Sequence, residues 1–100
     1  MPSPQVQAHA TRAKPCRVRA FFWIAAPADP GLLARVIEPV AKLGAVPARV
    51  HASREAGDGS EFGIDLRLCG VEPRTAELVE KALRAIVGVR QVLAAVEPEA

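Results

Sequence analysis

The chain has 100 residues, half of them apolar and 24% charged, with a net charge of +2; that is enough for one hydrophobic core and not for two. Its longest apolar run, residues 20–28, falls well short of the roughly 18–20 residues of a membrane-spanning helix, so no membrane partner is expected. Two cysteines, with no CxxC or Cys/His cluster, argue against a disulfide scaffold and against a metal site.

The first fifteen residues (MPSPQVQAHATRAKP) carry scattered prolines and no apolar periodicity, and are expected to form a disordered arm. A single domain is expected over residues 16–97, with 98–100 as a tail. Arg12, Lys14, Arg17 and Arg19 all precede the first acidic residue, Asp29, but acids and bases intermix beyond it. The basic stripe of a nucleic-acid binder is missing, so no nucleic-acid partner is expected. Residues 20–26, followed by Ala26-Pro27-Ala28, have the outline of a short secretory segment. Cleavage there would remove the first strand, so a cytoplasmic chain with reduced thiols is expected.

Residues 17–24 (RVRAFFWI) alternate. Period two predicts a strand with Val18, Ala20, Phe22 and Ile24 toward a core and Arg17, Arg19, Phe21 and Trp23 on the opposite face. A helix follows, with Asp29 as its expected N-cap, Pro30 in its first turn and Gly44 beyond its end. Leu33, Val36, Ile37 and Val40 form its predicted stripe, and Pro39 should kink it or end its regular part. Residues 46–53 (VPARVHAS) alternate again, with Val46, Ala48, Val50 and Ala52 on one face; Pro47 confines this strand to a sheet edge. Asp58-Gly59 marks a turn.

Residues 61–69 (EFGIDLRLC) give the cleanest alternation, with Phe62, Ile64, Leu66 and Leu68 facing in. Pro73 opens a second helix with the stripe Ala76, Val79, Ala82, Leu83 and Ile86. Glu77–Lys81 and Glu80–Arg84 are expected pairs along it, with Gly88 at its close. Residues 89–96 (VRQVLAAV) end the domain as a strand that is apolar on both faces.

The order is β-α-β-β-α-β. It predicts an α+β, ferredoxin-like domain: a four-stranded antiparallel sheet in order 4-1-3-2, covered on one face by two helices. Strands one and three are then neighbours, which brings Cys16 near Cys69. Parity puts the two thiols on opposite faces and argues against a disulfide.

No constellation in the chain suits catalysis. His51 has outward parity on an edge strand, His9 lies in the arm, and no nucleophile stands beside a base. Asp65 is expected to form a charge ladder with Arg67, Arg19 and Arg17. Aromatics for base stacking occur on strand one only, as Phe21 and Trp23, while strand three offers Glu61, Gly63 and Asp65. The two aromatics on an uncovered face are expected to form a partner interface, or to be screened by the stems of Arg19 and Arg67. The Pro30-Gly31 turn admits two readings. It is a tight strand-to-helix turn, or a helix N-terminus that lets a carboxylate or another backbone approach.

Asp29-Pro30-Gly31-Leu32-Leu33-Ala34-Arg35-Val36 resembles the Asn/Asp-x-Pro-Gly-x-Leu turn of ACT domains. Residues 62–68 (FGIDLRL) and 77–92 (ELVEKALRAIVGVRQV) are similar to the second half of acetolactate synthase small subunits. Two positions depart from that pattern: Ala28 and Val46 stand where Asn is usual. The resemblance implies a regulatory subunit with no active site and no cofactor of its own. It would form a homodimer by side-by-side pairing into a continuous sheet, and act on the large catalytic subunit of a thiamine-diphosphate synthase. A small amino-acid ligand would sit at the dimer interface near Asp29, with backbone contacts from Gly31 and Leu32. A freestanding amino-acid sensor and an RNA-binding domain of the same plan are the alternatives.

Overall fold

The structure, a computed structural model, describes residues 17–99. The expected arm over residues 1–15, His9 within it, and Cys16 lie outside the described residues. The elements are β1 (Val18–Pro27), α1 (Leu32–Lys42), β2 (Arg49–Glu55), β3 (Glu61–Val71), α2 (Pro73–Arg84) and β4 (Gln91–Pro98). The strands form one antiparallel sheet in the order β2-β3-β1-β4. This is the ferredoxin-like arrangement that the element order predicts.

Alternation in β1 translates directly into burial. Val18, Ala20, Phe22, Ile24 and Ala26 are buried, while Arg19 and Trp23 are exposed and Phe21 is half-buried. Ile64, Leu66 and Leu68 of β3 join them, with Leu32, Val36 and Val40 of α1 and Ala76, Val79 and Leu83 of α2. All of this core lies between the sheet and the two helices. No helix among the described residues is long and apolar enough to cross a membrane.

Local departures from expectation have local causes. Gly31, not Asp29, occupies the N-cap of α1; the Leu32 N–H instead closes a turn on the Asp29 carbonyl at 3.0 Å. After that turn Leu32 takes the place of Leu33 in the buried stripe, which keeps Val36 and Val40; Leu33 is exposed and Ile37 half-buried. The helix continues one turn past Pro39 to Lys42. On α2, Arg84 pairs with Glu80 as expected (2.8 Å), whereas Glu77 pairs with Arg74 (3.3 Å). The β2 strand starts only at Arg49, so Val46 is left 83% exposed in the preceding loop. One edge strand lying beyond the helices cannot bury a full apolar face, and Val50 is also exposed.

The β1–β3 ladder contains one irregularity. Val18 stands opposite Val71 but Ala20 opposite Leu68, so β3 carries an extra residue at Cys69-Gly70. Gly70 has φ +67, the left-handed conformation of a glycine-type bulge.

Candidate functional site

Among the described residues, the uncovered sheet face and the turn between β1 and α1 combine accessibility with convergent side chains.

On the uncovered face the register sets the neighbours. Trp23 stands opposite Asp65 on β3 and Leu93 on β4, and Phe21 stands opposite Arg67 and Ala95. Leu93 is 53% exposed and Trp23 37%. Phe21, Trp23, Asp65, Arg67, Leu93 and Ala95 line a shallow depression of about 410 Å³. The Arg67 guanidinium lies 5.4 Å from the Phe21 ring centroid, close enough for a cation–π contact that covers part of the ring. Thus Phe21 is screened by Arg67, as one of the two sequence readings expects, while Trp23 and Leu93 stay open.

Asp65 is the electrostatic centre of this face. Its carboxylate accepts two hydrogen bonds from Arg67, each 3.1 Å, and Arg49 approaches to 3.5 Å. These bonds and the charge of Asp65 hold the Arg67 guanidinium above its ordinary pKa. The ladder therefore differs in membership from the expected one. Arg19 stands opposite Glu97 and pairs with it at 3.2 Å, and Arg17 donates to the Gly70 carbonyl at 3.1 Å. Parity assigns these arginines to the correct face, but the ladder register then carries them away from Asp65. Arg49 was missed because the expected β2 strand gave no register against β3.

At the turn, Asp29 is engaged by its own chain. Arg35, one turn into α1, donates to the Asp29 carboxylate at 2.9 Å. A Cβ on Gly31 would lie 3.0 Å from that guanidinium, so the glycine leaves room for Arg35 to fold back. The Leu32 side chain is buried. Beside the turn, Ala28, Asp29, Pro30, Leu33, Arg54 and Phe62 line a depression of about 430 Å³. Leu33 and Phe62 give this lining its large apolar side chains, and Asp29 and Arg54 its charged ones. Arg54 donates to the Gly59 carbonyl at 2.8 Å, which anchors it to the β2–β3 turn. Leu33, Arg54 and Phe62 were not expected here: Leu33 takes part because Leu32 replaces it on the buried side of α1, and Arg54 and Phe62 because the β2–β3 hairpin stands beside the start of α1.

His51 is exposed, opposite Asp65 in the β2–β3 register. Among the described residues no three His, Cys, Asp or Glu side chains gather as metal ligands do.

A family model described as an ACT-like domain matches residues 5–99. No curated protein matches the chain in sequence. Among solved structures, the ACT domain from GTP pyrophosphokinase of Chlorobium tepidum is similar, with a TM-score of 0.65 at 16% identity over 79% of this chain and 99% of that one. The regulatory subunit of aspartate kinase from Thermus flavus aligns with a TM-score of 0.55 at 19% identity, over 84% of this chain and 53% of that one. A putative PII-like signalling protein from Thermus thermophilus aligns with a TM-score of 0.53 at 20% identity, over 86% of this chain and 91% of that one. At these identities the likeness to solved structures is one of fold.

Proposed function

This chain belongs to the ACT-like domain family, and on that premise we propose that it is a non-catalytic regulatory subunit acting by contact with a larger enzyme. The enzyme proposed is acetolactate synthase, whose large subunit carries thiamine diphosphate. The single observation that carries the reading is the apolar patch of Trp23 and Leu93, left open on a sheet face that no element of the described residues covers. A tryptophan so placed suits the buried centre of a protein–protein interface. The similarity of residues 62–68 and 77–92 to acetolactate synthase small subunits selects the partner. Docking would favour one state of the catalytic subunit over another, and its effect on turnover is bounded by its difference in affinity for the two.

Co-expression of the chain with acetolactate synthase large subunits tests this. The pair is expected to co-purify, and turnover to change when the chain is added. Replacing Trp23 by Ala should abolish both effects while the far-UV spectrum is retained. An unchanged turnover with every large subunit would overturn the reading.

A second reading, amino-acid sensing, is favoured by the depression beside the turn. A carboxylate at Asp29 and a guanidinium at Arg54, in one lining with Leu33 and Phe62, complement the ammonium, the carboxylate and the apolar side chain of a branched amino acid. Saturation at about 100 times Kd would stabilise the fold by roughly 2.7 kcal/mol, visible as a rise in Tm that Arg54→Ala removes. The absence of any Tm shift with valine, leucine or isoleucine would exclude it.

A further inference from the structure

The β1–α1 turn and the β2–β3 hairpin are fastened together through the backbone, where the Ala28 N–H donates to the Ser60 carbonyl at 2.9 Å. Arg54 stands opposite Phe62 in the hairpin register, so the two side chains share a face, and they share the depression with Leu33 and Asp29.

Arg54 is fixed by its own hairpin. Its Nε–H donates to the Gly59 carbonyl at 2.8 Å, and its guanidinium lies against that glycine, where a Cβ would stand 3.1 Å from Nη2. The Nη groups still carry N–H donors. Nearby arginines are neutralised, Arg35 by Asp29, Arg49 and Arg67 by Asp65, and Arg90 by Glu61. Among the described residues no carboxylate pairs with Arg54. The acids next to it in sequence are engaged with serines: Glu55 accepts from the Ser53 hydroxyl at 2.8 Å, and Asp58 from the Ser60 N–H at 3.0 Å.

Asp29 is in the opposite condition. Arg35 Nη2 donates to its Oδ2 at 2.9 Å. Two guanidiniums and one carboxylate therefore leave this place with one uncompensated positive charge, and it resides on Arg54. An ammonium arriving at Asp29 must displace Arg35 or stand beside it as a second cation, which Coulomb repulsion opposes. A carboxylate arriving at Arg54 displaces no charged group.

We infer that the depression selects short aliphatic monocarboxylates over amino acids of the same carbon skeleton, and that Arg35 is the residue that sets this preference. The inference rests on the reading of the depression as a ligand site and changes the class of ligand it holds. The carboxylate sits on Arg54 and the hydrocarbon on Leu33 and Phe62, while Arg35 keeps Asp29 from recognising an amino group. Both partners of that lock are half-exposed, so its effect is one of selectivity and is modest in size.

NMR titration of the full chain with four probes tests this. They are leucine; 4-methylpentanoate, which is leucine without its ammonium; 4-methyl-2-oxopentanoate, in which a carbonyl replaces it; and 3-methylbutylamine, which is leucine without its carboxylate. The Arg54 Nε–H and the Leu33 and Phe62 amides report binding. At least one of the two carboxylates is expected to bind about two- to five-fold more tightly than leucine, and the amine not to bind. Arg35→Gln, which frees Asp29, should raise the affinity for leucine by about the same factor and leave that for the carboxylates unchanged. Arg54→Gln should abolish binding of all the probes. A wild type that prefers leucine, or a preference that Arg35→Gln does not alter, would overturn the inference and leave amino-acid sensing standing. If no probe moves these resonances in the wild type or in the Arg35→Gln variant, the ligand-site reading and the inference fall together.

Discussion

The indole of Trp23 lies over Gly63. A Cβ built on that glycine would stand 2.4 Å from Cη2 and 2.5 Å from Cζ2 of the ring, and 2.9 Å from the Glu55 Oε2. Glycine is a poor residue in the middle of a strand, because it gives up conformational freedom and packs nothing. Here the tryptophan fills the space that a side chain would take, and the glycine is buried beneath it. The open patch on the sheet thus has a fixed floor, and the indole has one preferred seat.

Gly63→Ala should unseat that ring. The added methyl cannot be absorbed by the backbone of a central strand, so the indole must swing outward, at a cost of about 1–3 kcal/mol in stability. Urea denaturation measures the loss, and tryptophan emission in the folded state should shift to the red. An alanine variant with wild-type stability and emission would mean that the indole does not rest on Gly63.

Asp65 serves two arginines from different strands, Arg67 at 3.1 Å and Arg49 at 3.5 Å. Both guanidiniums are largely exposed, so salt and water weaken the pairing. Asp65→Asn should lower Tm by roughly 2–5 °C at low ionic strength, and by much less in high salt. It should also free Arg67 from its position over Phe21. A Tm decrease that is the same at both ionic strengths would assign Asp65 a packing role instead.

This ladder shows what the sequence discloses and what it withholds. Strict alternation in β1 and β3 tells which side chains share a face, and Trp23, Phe21, Asp65 and Arg67 are found where parity puts them. Alternation carries no information on how far one strand slides along another. Arg19 therefore finds Glu97, a residue of β4, and not Asp65. The bulge at Gly70 is equally invisible to a period-two pattern, since it adds one residue without breaking the alternation on either side of it. The turn site was half legible: Asp29 and Gly31 advertise a tight turn, but Arg54 and Phe62 reach it only through the packing of a distant hairpin.

Asp58 makes the β2–β3 turn sensitive to acid. Its carboxylate accepts hydrogen bonds from the Ser60 side chain and from the Ser60 N–H, the latter at 3.0 Å, and these hold it below the ordinary aspartate pKa. A depressed carboxylate stabilises the fold above its unfolded pKa, and the contribution fades as pH falls through the lower folded value. Amide exchange in residues 56–60 should accordingly accelerate only in strongly acidic solution. Ser60→Ala, which removes the largest of these influences, should move the titration of Asp58 back toward the ordinary range. An NMR titration that finds the same midpoint in both proteins would reject this account.

The bulge in β3 is closed by the residues that flank the start of β1 and the end of β4. Gly70 adopts φ +67; its carbonyl accepts from Arg17 at 3.1 Å, and its N–H donates to the Glu99 carboxylate at 2.8 Å. The Glu99 N–H in turn donates to the Arg17 carbonyl at 3.0 Å, so the ends of β1 and β4 are tied together at the extra residue. Gly70→Ala places a Cβ in the left-handed region and should cost about 1–2 kcal/mol, although the nearest side-chain atom, 3.8 Å away, leaves room for it. The penalty is therefore conformational and not steric. Glu99→Ala should cost about 0.5–1.5 kcal/mol by leaving one exposed donor to water. If the two substitutions act on one clasp, the double variant will lose less than the sum, since a bulge already distorted has no well-placed N–H left for Glu99. Urea titration of the four proteins measures this coupling, and strict additivity would show that the clasp and the bulge form independently.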